Sequence, residues 1–182
     1  MTRGVLFALV FCVGVTVGGL GGWQIGRAQS AEAVERGLQI GQRPPRFAAD
    51  DLSGTRHALE QYEGSVLVLH FWASWCPYCR SQIPQLTELH NEWTWKGVSV
   101  LSVSIDENLE QLEQFMAQAA LPYPVIADAA TSLFIGERYG VSGIPVTYIL
   151  GRDGRIVLRL DGRSDILGAV KLALEEHPAS AT

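Results

Sequence analysis

Two cysteines, Cys76 and Cys79, lie three positions apart in the stretch WCPYCR. A Cys-x-x-Cys pair can supply half of a metal site, form a short disulfide that only staples the chain, or exchange electrons as a redox dithiol. The elements around the pair, and the other residues available as metal ligands, distinguish between these uses.

The pair falls where a buried strand is predicted to pass into a helix. Residues 65–73, SVLVLHFWA, are almost all apolar, β-branched or aromatic, which is typical of a central strand covered on both faces. Downstream, Ile83, Leu86 and Leu89 recur at helical spacing. The sequence therefore predicts that Cys76 stands at the first turn of a helix.

A helix start favours thiol chemistry at this pair. The unpaired N–H groups and the positive end of the helix dipole stabilise a thiolate on the first cysteine. Cys76 is therefore predicted to attack disulfides. Cys79, one turn on and expected to be more buried, would then resolve the mixed disulfide.

The metal and staple alternatives find little support in the sequence. A zinc or copper site needs further ligands, but Cys12 lies in an apolar N-terminal segment and the histidines form no compact pair. The four histidines are His57, His70, His90 and His177. A disulfide that closes so short a loop restricts the unfolded chain little. No metal and no cofactor are therefore predicted.

The composition suits a single globular domain with an appendage. The chain has 182 residues, of which 47% are hydrophobic and 18% charged, and this balance argues against disorder. Its formal net charge of −5 gives no reason to expect a nucleic-acid partner. Three cysteines are too few for a disulfide framework.

The N-terminal segment has the character of a membrane helix. Residues 4–26 contain no charged residue, and as a helix they would extend roughly 34 Å, enough to span a bilayer core of about 30 Å. We expect residues 1–28 to be a membrane anchor, with the N-terminus in the cytoplasm. A cleaved signal segment ending near Ala28 is the alternative. Both interpretations put the remainder outside the cytoplasm, with 29–43 as a linker and 44–178 as the domain.

The order of elements predicts an α/β fold. Two strand–helix units are followed by a short strand or turn, another helix, two strands and a last helix, so we expect a mixed central sheet with helices on both faces. A turn signal at Ser53-Gly54 predicts a lead-in that is either a short hairpin or a strand–turn–helix. Residues 151–154, GRDG, predict a second hairpin, and Ser164 is the expected N-cap of the last helix.

A proline before the penultimate predicted strand gives a second functional signal. Pro145 follows Gly143 and Ile144 directly before VTYIL. A proline there donates no hydrogen bond, and a cis bond would make a tight turn that frees neighbouring backbone for a ligand.

Together these residues resemble the thioredoxin superfamily, and within it the membrane-anchored TlpA/ResA/DsbE-like thiol–disulfide oxidoreductases. The matching stretches are LHFWASWCPYCRSQIPQL, GVSVLSVSIDE and YGVSGIPVTYILGRDGRI, and the resemblance covers residues 41–177. It implies a thioredoxin-like fold in which residues 97–139 contain the helix-bearing insertion of this branch.

The resemblance also implies roles for individual residues. Cys76 would be the attacking thiol and Cys79 the resolving thiol. Pro145 would be cis and packed against the pair, with Ile144 offering backbone to an extended substrate. Trp75 would line the surrounding surface. The resemblance also implies that Pro84 would kink the active-site helix.

Proteins of this kind are usually bacterial and periplasm-facing. A single-pass anchor in the inner membrane holds them, and a membrane electron donor of the DsbD/CcdA type keeps them reduced. They pass electrons to apocytochrome c or to copper-site cysteines of an oxidase. The resemblance implies the same location and protein partners here.

Two positions depart from the pattern of these relatives. His70 stands where thioredoxins carry a buried carboxylate, and with an ordinary pKa of about 6.5 it could accept the proton of the resolving thiol. The alternative is a hydrogen-bonded core histidine. Gln82 stands where many cytochrome-maturation members have Glu, which weakens a specific assignment to apocytochrome c.

The direction of electron flow is predicted from the residues around the cysteines. Pro77 and Tyr78 add no charge, so an intermediate reduction potential is expected, and Ile144 resembles reductants more than strong oxidants. We therefore expect a reductant. The alternatives are a disulfide oxidase or isomerase, a thiol peroxidase and a Cu(I) carrier. For a peroxidase, Ala73 and Ser74 do not supply the Thr-x-x-Cys arrangement.

Overall fold

The computed structural model describes residues 36–176. The strands are β1 (Ala48–Asp50), β2 (Arg56–Ala58), β3 (Val66–Trp72), β4 (Val98–Ser104), β5 (Val125–Ile126), β6 (Val146–Leu150) and β7 (Ile156–Asp161). The helices are α1 (Pro77–Trp93), α2 (Leu109–Ala119), α3 (Ala129–Arg138) and α4 (Ile166–Glu176), with short 3₁₀ turns at Leu59–Tyr62 and Thr94–Lys96.

Five strands form one mixed sheet in the order β5-β4-β3-β6-β7. Strand β3 runs parallel to β4 and antiparallel to β6, while β4 and β5 are parallel and β6 and β7 antiparallel. The predicted mixed sheet is therefore confirmed. The carboxyl ends of β3 and β4 meet at one edge, and the segments that follow them approach each other there.

Strand β3 is buried along its whole length, as its apolar sequence predicts. Val66 and Val68 pack in one cluster with residues of α1 and α4, whereas Leu67, Leu69 and Phe71 pack in another with α3. Each fully buried side chain of this kind contributes roughly 1.5–3 kcal/mol of transfer free energy. Helices on both faces of the sheet are thus confirmed.

Two predicted hairpins are present. Strands β1 and β2 pair antiparallel around Gly54, whose φ of 82° favours glycine, and Asp51 bridges to Ile126 of β5. Strands β6 and β7 are joined through the GRDG turn, with Gly154 at φ 74°. The first hairpin covers the outer edge of β5, which leaves less of that edge open to pairing.

The N-cap of α4 differs from the predicted one. Asp165, not Ser164, caps the helix, because its carboxylate accepts a hydrogen bond from the N–H of Gly168 at 2.9 Å. The Ser164 hydroxyl instead donates to the carbonyl of Gly162. Both residues suit an N-cap, and the position at which the chain turns into the helix selects between them.

Part of the predicted linker contacts the sheet. Gly41 donates to the carbonyl of Ile156 at 2.7 Å, and the N–H of Ile156 donates to the carbonyl of Gln42 at 2.9 Å. Within residues 36–176, no helix is both long and apolar enough to cross a membrane. The predicted anchor, residues 1–28, lies outside the described residues, as does Cys12.

Candidate functional site

Cys76 is the N-cap of α1, at the junction predicted from the sequence. Its sulfur accepts a hydrogen bond from the N–H of Cys79 at 3.3 Å, and Pro77 occupies the first helical position. Proline suits that position because its missing N–H would have no partner there. The side chain of Cys76 is therefore directed at the N–H groups that favour a thiolate.

Cys79 is fully buried one turn further along α1. Burial, followed by the hydrogen bond with Cys76, raises the pKa of the Cys79 thiol to about 12. Both cysteines are free thiols in the structure. The two sulfurs are therefore unequal: one interacts with a helix start and the other is held protonated by its apolar surroundings.

The two thiols belong to an apolar cluster at the carboxyl end of β3. The cluster also includes Trp72 and, from α2, Leu112. Arg80 lies over the ring of Phe115 at 5.0 Å, and that ring contacts Trp72 at 5.7 Å between centroids. The predicted insertion thus supplies α2 as one wall of the site.

The proline signal lies at the same site. The peptide bond between Ile144 and Pro145 is cis, as the resemblance implies, and Ile144 packs against the cluster that holds both cysteines. Trp75 and Tyr78 are 56% and 62% exposed. Exposed aromatic rings beside a dithiol offer a surface on which a protein substrate can lie.

His70 lies in β3 opposite Thr147 of β6 and is 1% exposed. Its Nδ1 is 2.9 Å from the Thr147 hydroxyl, while Nε2 has no partner among the described residues. Burial lowers the pKa of His70 to about 3, so the ring is neutral near pH 7. This environment supports the core-histidine alternative over a proton acceptor, because a proton would be held weakly.

Gln82 is a buried residue of α1. Its Nε2 donates to the carbonyls of Gly162 and Ser164, both at 3.4 Å, and its Oε1 is unpartnered within the described residues. The side chain therefore ties α1 to the segment after β7. A carboxylate there would face two carbonyl oxygens.

Asp106 is a polar residue of this region to which the sequence analysis gave no role. It lies just after β4, is buried, and binds Ser74 of the loop that leads to Cys76. An acidic residue that follows a buried strand parallel to β3 was the available signal. Within residues 36–176, no group of three or more His, Cys, Asp or Glu residues is arranged to hold a metal ion.

The fold and this site define a class: thioredoxin-like proteins with a Cys-x-x-Cys dithiol at the start of a helix and a cis-proline beside it. The model of the AhpC/TSA family matches residues 40–159. A Bacillus thuringiensis (strain Al Hakam) thiol-disulfide oxidoreductase ResA is 32% identical over 125 residues, or 69% of this chain and 71% of that protein.

Two further comparisons agree. The thioredoxin-like protein YneN of Bacillus subtilis is 33% identical over 150 residues, covering 81% of this chain and 82% of that protein. The crystal structure of a protein described as thiol:disulfide interchange protein DsbE of Chlorobium tepidum superposes with a TM-score of 0.66 at 31% identity. The match covers 78% of this chain and 96% of that one.

The chain belongs to the AhpC/TSA family of thioredoxin-like proteins and is a thiol–disulfide oxidoreductase.

Proposed function

We propose that the protein is a reductant of protein disulfides outside the cytoplasm, in which Cys76 attacks and Cys79 resolves. The observation that carries this proposal is the inequality of the two sulfurs. Cys76 accepts the N–H of Cys79 at a helix start, whereas burial raises the pKa of Cys79 to about 12. This arrangement suits attack by one thiol and later release by the other.

The exchange balances in two steps. The Cys76 thiolate attacks one sulfur of a substrate disulfide, forming a mixed disulfide and expelling the second substrate sulfur as a thiolate, which takes up a proton. Cys79 then loses its proton and attacks Cys76, which releases the first substrate sulfur as a thiol. The substrate gains two electrons and two protons, and the protein ends with a Cys76–Cys79 disulfide.

The reducing direction is supported by the absence of added charge between the cysteines. The dipeptide Pro77-Tyr78 is neutral, and the hydrogen bond to the Cys76 sulfur comes from an amide. A very stable thiolate would make the protein an oxidant, and neither the dipeptide nor the amide brings a positive charge to the Cys76 sulfur. We expect a reduction potential well below the value of about −120 mV that is typical of a strong periplasmic oxidant.

The proposed substrates are apocytochrome c or the copper-site cysteines of an oxidase, and the proposed donor is a membrane protein of the DsbD/CcdA type. The resemblance to TlpA/ResA/DsbE-like proteins supports both. Because Gln82 stands in place of a glutamate, apocytochrome c is the less strongly supported of the two proposed substrates.

A trapping experiment tests the direction and the substrate together. In a Cys12→Ser chain, Cys79→Ala leaves the mixed disulfide unresolved, so the substrate should remain linked to Cys76. The matched Cys76→Ala variant should trap nothing. Trapped cytochrome or oxidase subunits support the proposal, whereas broad trapping among exported proteins would indicate an oxidase or isomerase.

The external location rests on the N-terminal sequence. Residues 4–26 carry no charge, and Arg3 precedes them, so we propose that residues 1–28 anchor the chain with the domain in the periplasm. Residues 29–43 would then link the anchor to a domain at 44–178. A phosphatase that is active only after export, fused after residue 43, should be active, and an inactive but stable fusion would contradict this location.

A thiol peroxidase is the second candidate, because the chain matches the model of the AhpC/TSA family. The hydroxyl of Ser74 donates to Asp106 at 2.6 Å and is therefore engaged away from the cysteine sulfur. We expect peroxide consumption by the purified protein to be negligible beside its disulfide exchange. Rapid turnover of peroxide would reverse that order.

A further inference from the structure

A buried carboxylate links the end of β4 to the loop that carries Cys76. Asp106 is 3% exposed and accepts three hydrogen bonds. Two come from Ser74, whose N–H donates at 2.8 Å and whose hydroxyl donates at 2.6 Å to the other carboxylate oxygen. The third comes from the hydroxyl of Ser104 at 2.6 Å.

The hydrogen bonds hold both ends of the connection. Ser104 ends β4, and its hydroxyl also accepts the N–H of Asp106 at 3.2 Å, so the carboxylate is itself fixed to its strand. Ser74 lies two residues before Cys76 in the loop between β3 and α1. Hydrogen bonds to a carboxylate are short and strong, so a pair of them can define one loop conformation.

Neighbouring backbone bonds extend the same constraint. The N–H of Ile105 donates to the carbonyl of Trp72 at 2.8 Å, which continues the pairing of β4 with β3 beyond the last strand residue. The N–H of Cys76 donates to the carbonyl of Ala73 at 3.2 Å. The loop therefore has backbone contacts on both sides of Ser74, and Asp106 supplies the side-chain contact between them.

We propose that Asp106 is a positioning residue that acts through Ser74 to hold the Cys76 sulfur against the N–H of Cys79. The geometry at the sulfur depends on where α1 begins, and Cys76, the N-cap of α1, lies two residues after the serine that Asp106 binds. This inference rests on the exchange chemistry proposed for Cys76 and is independent of its direction or substrate.

The alternative is that the contact only stabilises the fold. A matched pair elsewhere in the chain separates the two effects. In the exposed β1–β2 turn, Asp51 accepts the N–H of Ser53 at 2.8 Å and its hydroxyl at 2.6 Å through one oxygen, whereas the buried Ser74 donates the same two groups to the two oxygens of Asp106. Ser53→Ala therefore measures the cost of losing such a bond away from the thiols.

The test compares Ser74→Ala with Ser53→Ala in the full-length Cys12→Ser chain, kept in mild detergent. The rate of Cys76 alkylation by iodoacetamide near pH 7 is measured by mass spectrometry, the reduction potential by equilibration with glutathione, and stability by Tm. Ser74→Ala keeps all charges. We expect it to slow alkylation about tenfold and to shift the potential by about −30 mV, the equivalent of tenfold in the equilibrium constant.

Two further variants keep the outcome decisive. Ser104→Ala removes the hydrogen bond that fixes the Asp106 carboxylate to β4 and leaves Ser74 intact. It should therefore also slow alkylation, by about threefold. In an Asp106→Ala chain, Ser74→Ala should have no further effect, because the acceptor of its hydroxyl has already been removed. Ser53→Ala should leave the alkylation rate and the reduction potential unchanged, even where it lowers Tm.

The inference fails if Ser74→Ala and Ser104→Ala lower Tm while the alkylation rate and the potential stay at the wild-type values. It also fails if Ser74→Ala retains its full effect in the Asp106→Ala chain. Failure of the proposed function would give a different result. Cys76 would then be unreactive already in the Cys12→Ser chain that carries no further substitution.

Discussion

The N–H of Cys79 donates a hydrogen bond to the sulfur of Cys76 over 3.3 Å, so the residue proposed to resolve supports the residue proposed to attack through its backbone. The same residue keeps its own thiol in an apolar cluster, where burial raises its pKa. One turn of helix therefore gives two identical side chains different chemistry. Several measurements can detect that difference and the roles of its neighbours.

Alkylation should be selective for one thiol. Because burial raises the pKa of Cys79 to about 12, less than roughly a tenth of it ionises even near pH 11. We expect iodoacetamide to modify Cys76 and to spare Cys79 from about pH 7 to pH 10, as read by mass spectrometry of the Cys12→Ser chain. In Cys76→Ala, Cys79 should remain unreactive, since burial is the main cause of its shift. Equal labelling of both thiols would contradict this interpretation.

Acid should destabilise the fold through His70. Its pKa is about 3 in the folded protein against 6.5 when unfolded, so the unfolded chain binds more protons between these values. This contribution to stability is full above about pH 6.5 and falls as the pH drops toward 3. Between pH 7 and pH 5 the loss is about 2 kcal/mol.

A denaturant titration at these two pH values checks the contribution of His70. The pH dependence should diminish in His70→Asn, which has no group that titrates in this range. His90→Asn is the control, because it leaves His70 in place and should keep most of the dependence. An unchanged slope in His70→Asn would assign the acid sensitivity to another group.

Introducing a glutamate at position 82 should destabilise this protein. In Gln82→Glu the carboxylate would face the carbonyls of Gly162 and Ser164, to which Nε2 now donates. Burial and these oxygens would raise the pKa of the new carboxyl. Stability would then be retained below the unfolded value of about 4.3 and lost as the pH rises, by about 1–3 kcal/mol at pH 8.

Gln85→Glu provides the matched control for that substitution. The Gln85 Oε1 accepts the N–H groups of Ile166 and Leu167 at the start of α4, where a carboxylate is favoured, while its Nε2 donates to the carbonyl of Ser164 at 3.3 Å. We therefore expect a smaller loss at pH 8 than for Gln82→Glu, as measured by urea denaturation, because the helix start offsets the contact with that carbonyl. Equal losses for the two variants would mean that the helix start gives no such offset.

Trp75 should contribute to protein substrates more than to small ones. Its ring is 56% exposed beside Cys76 and could be covered by a bound polypeptide. We expect Trp75→Ala to raise the KM for a protein disulfide about tenfold while changing the rate with a small aromatic disulfide little. Trp95→Ala is the control, because Trp95 is 80% exposed in the turn after α1. Equal effects on both substrates would indicate a change in the thiols instead.

Much of the fold was predictable because its signals are local. The buried strand β3, the helix start at Cys76 and the turns at Gly54 and Gly154 each depend on a few adjacent residues. The prediction for the N-cap of α4 was wrong by one position. Ser164 and Asp165 both suit a cap, and only the path of the chain after β7 selects one of them.

The sequence by itself determined the dithiol, its place at a strand–helix junction and which polar residues lie near it along the chain. Only the tertiary structure decided what those polar residues contact. His70 meets Thr147 across 77 positions, and Ser74 meets Asp106 across 32. The physical reason is that propensity and periodicity act between near neighbours, whereas the partner of a buried polar group depends on which strands pair and in what register.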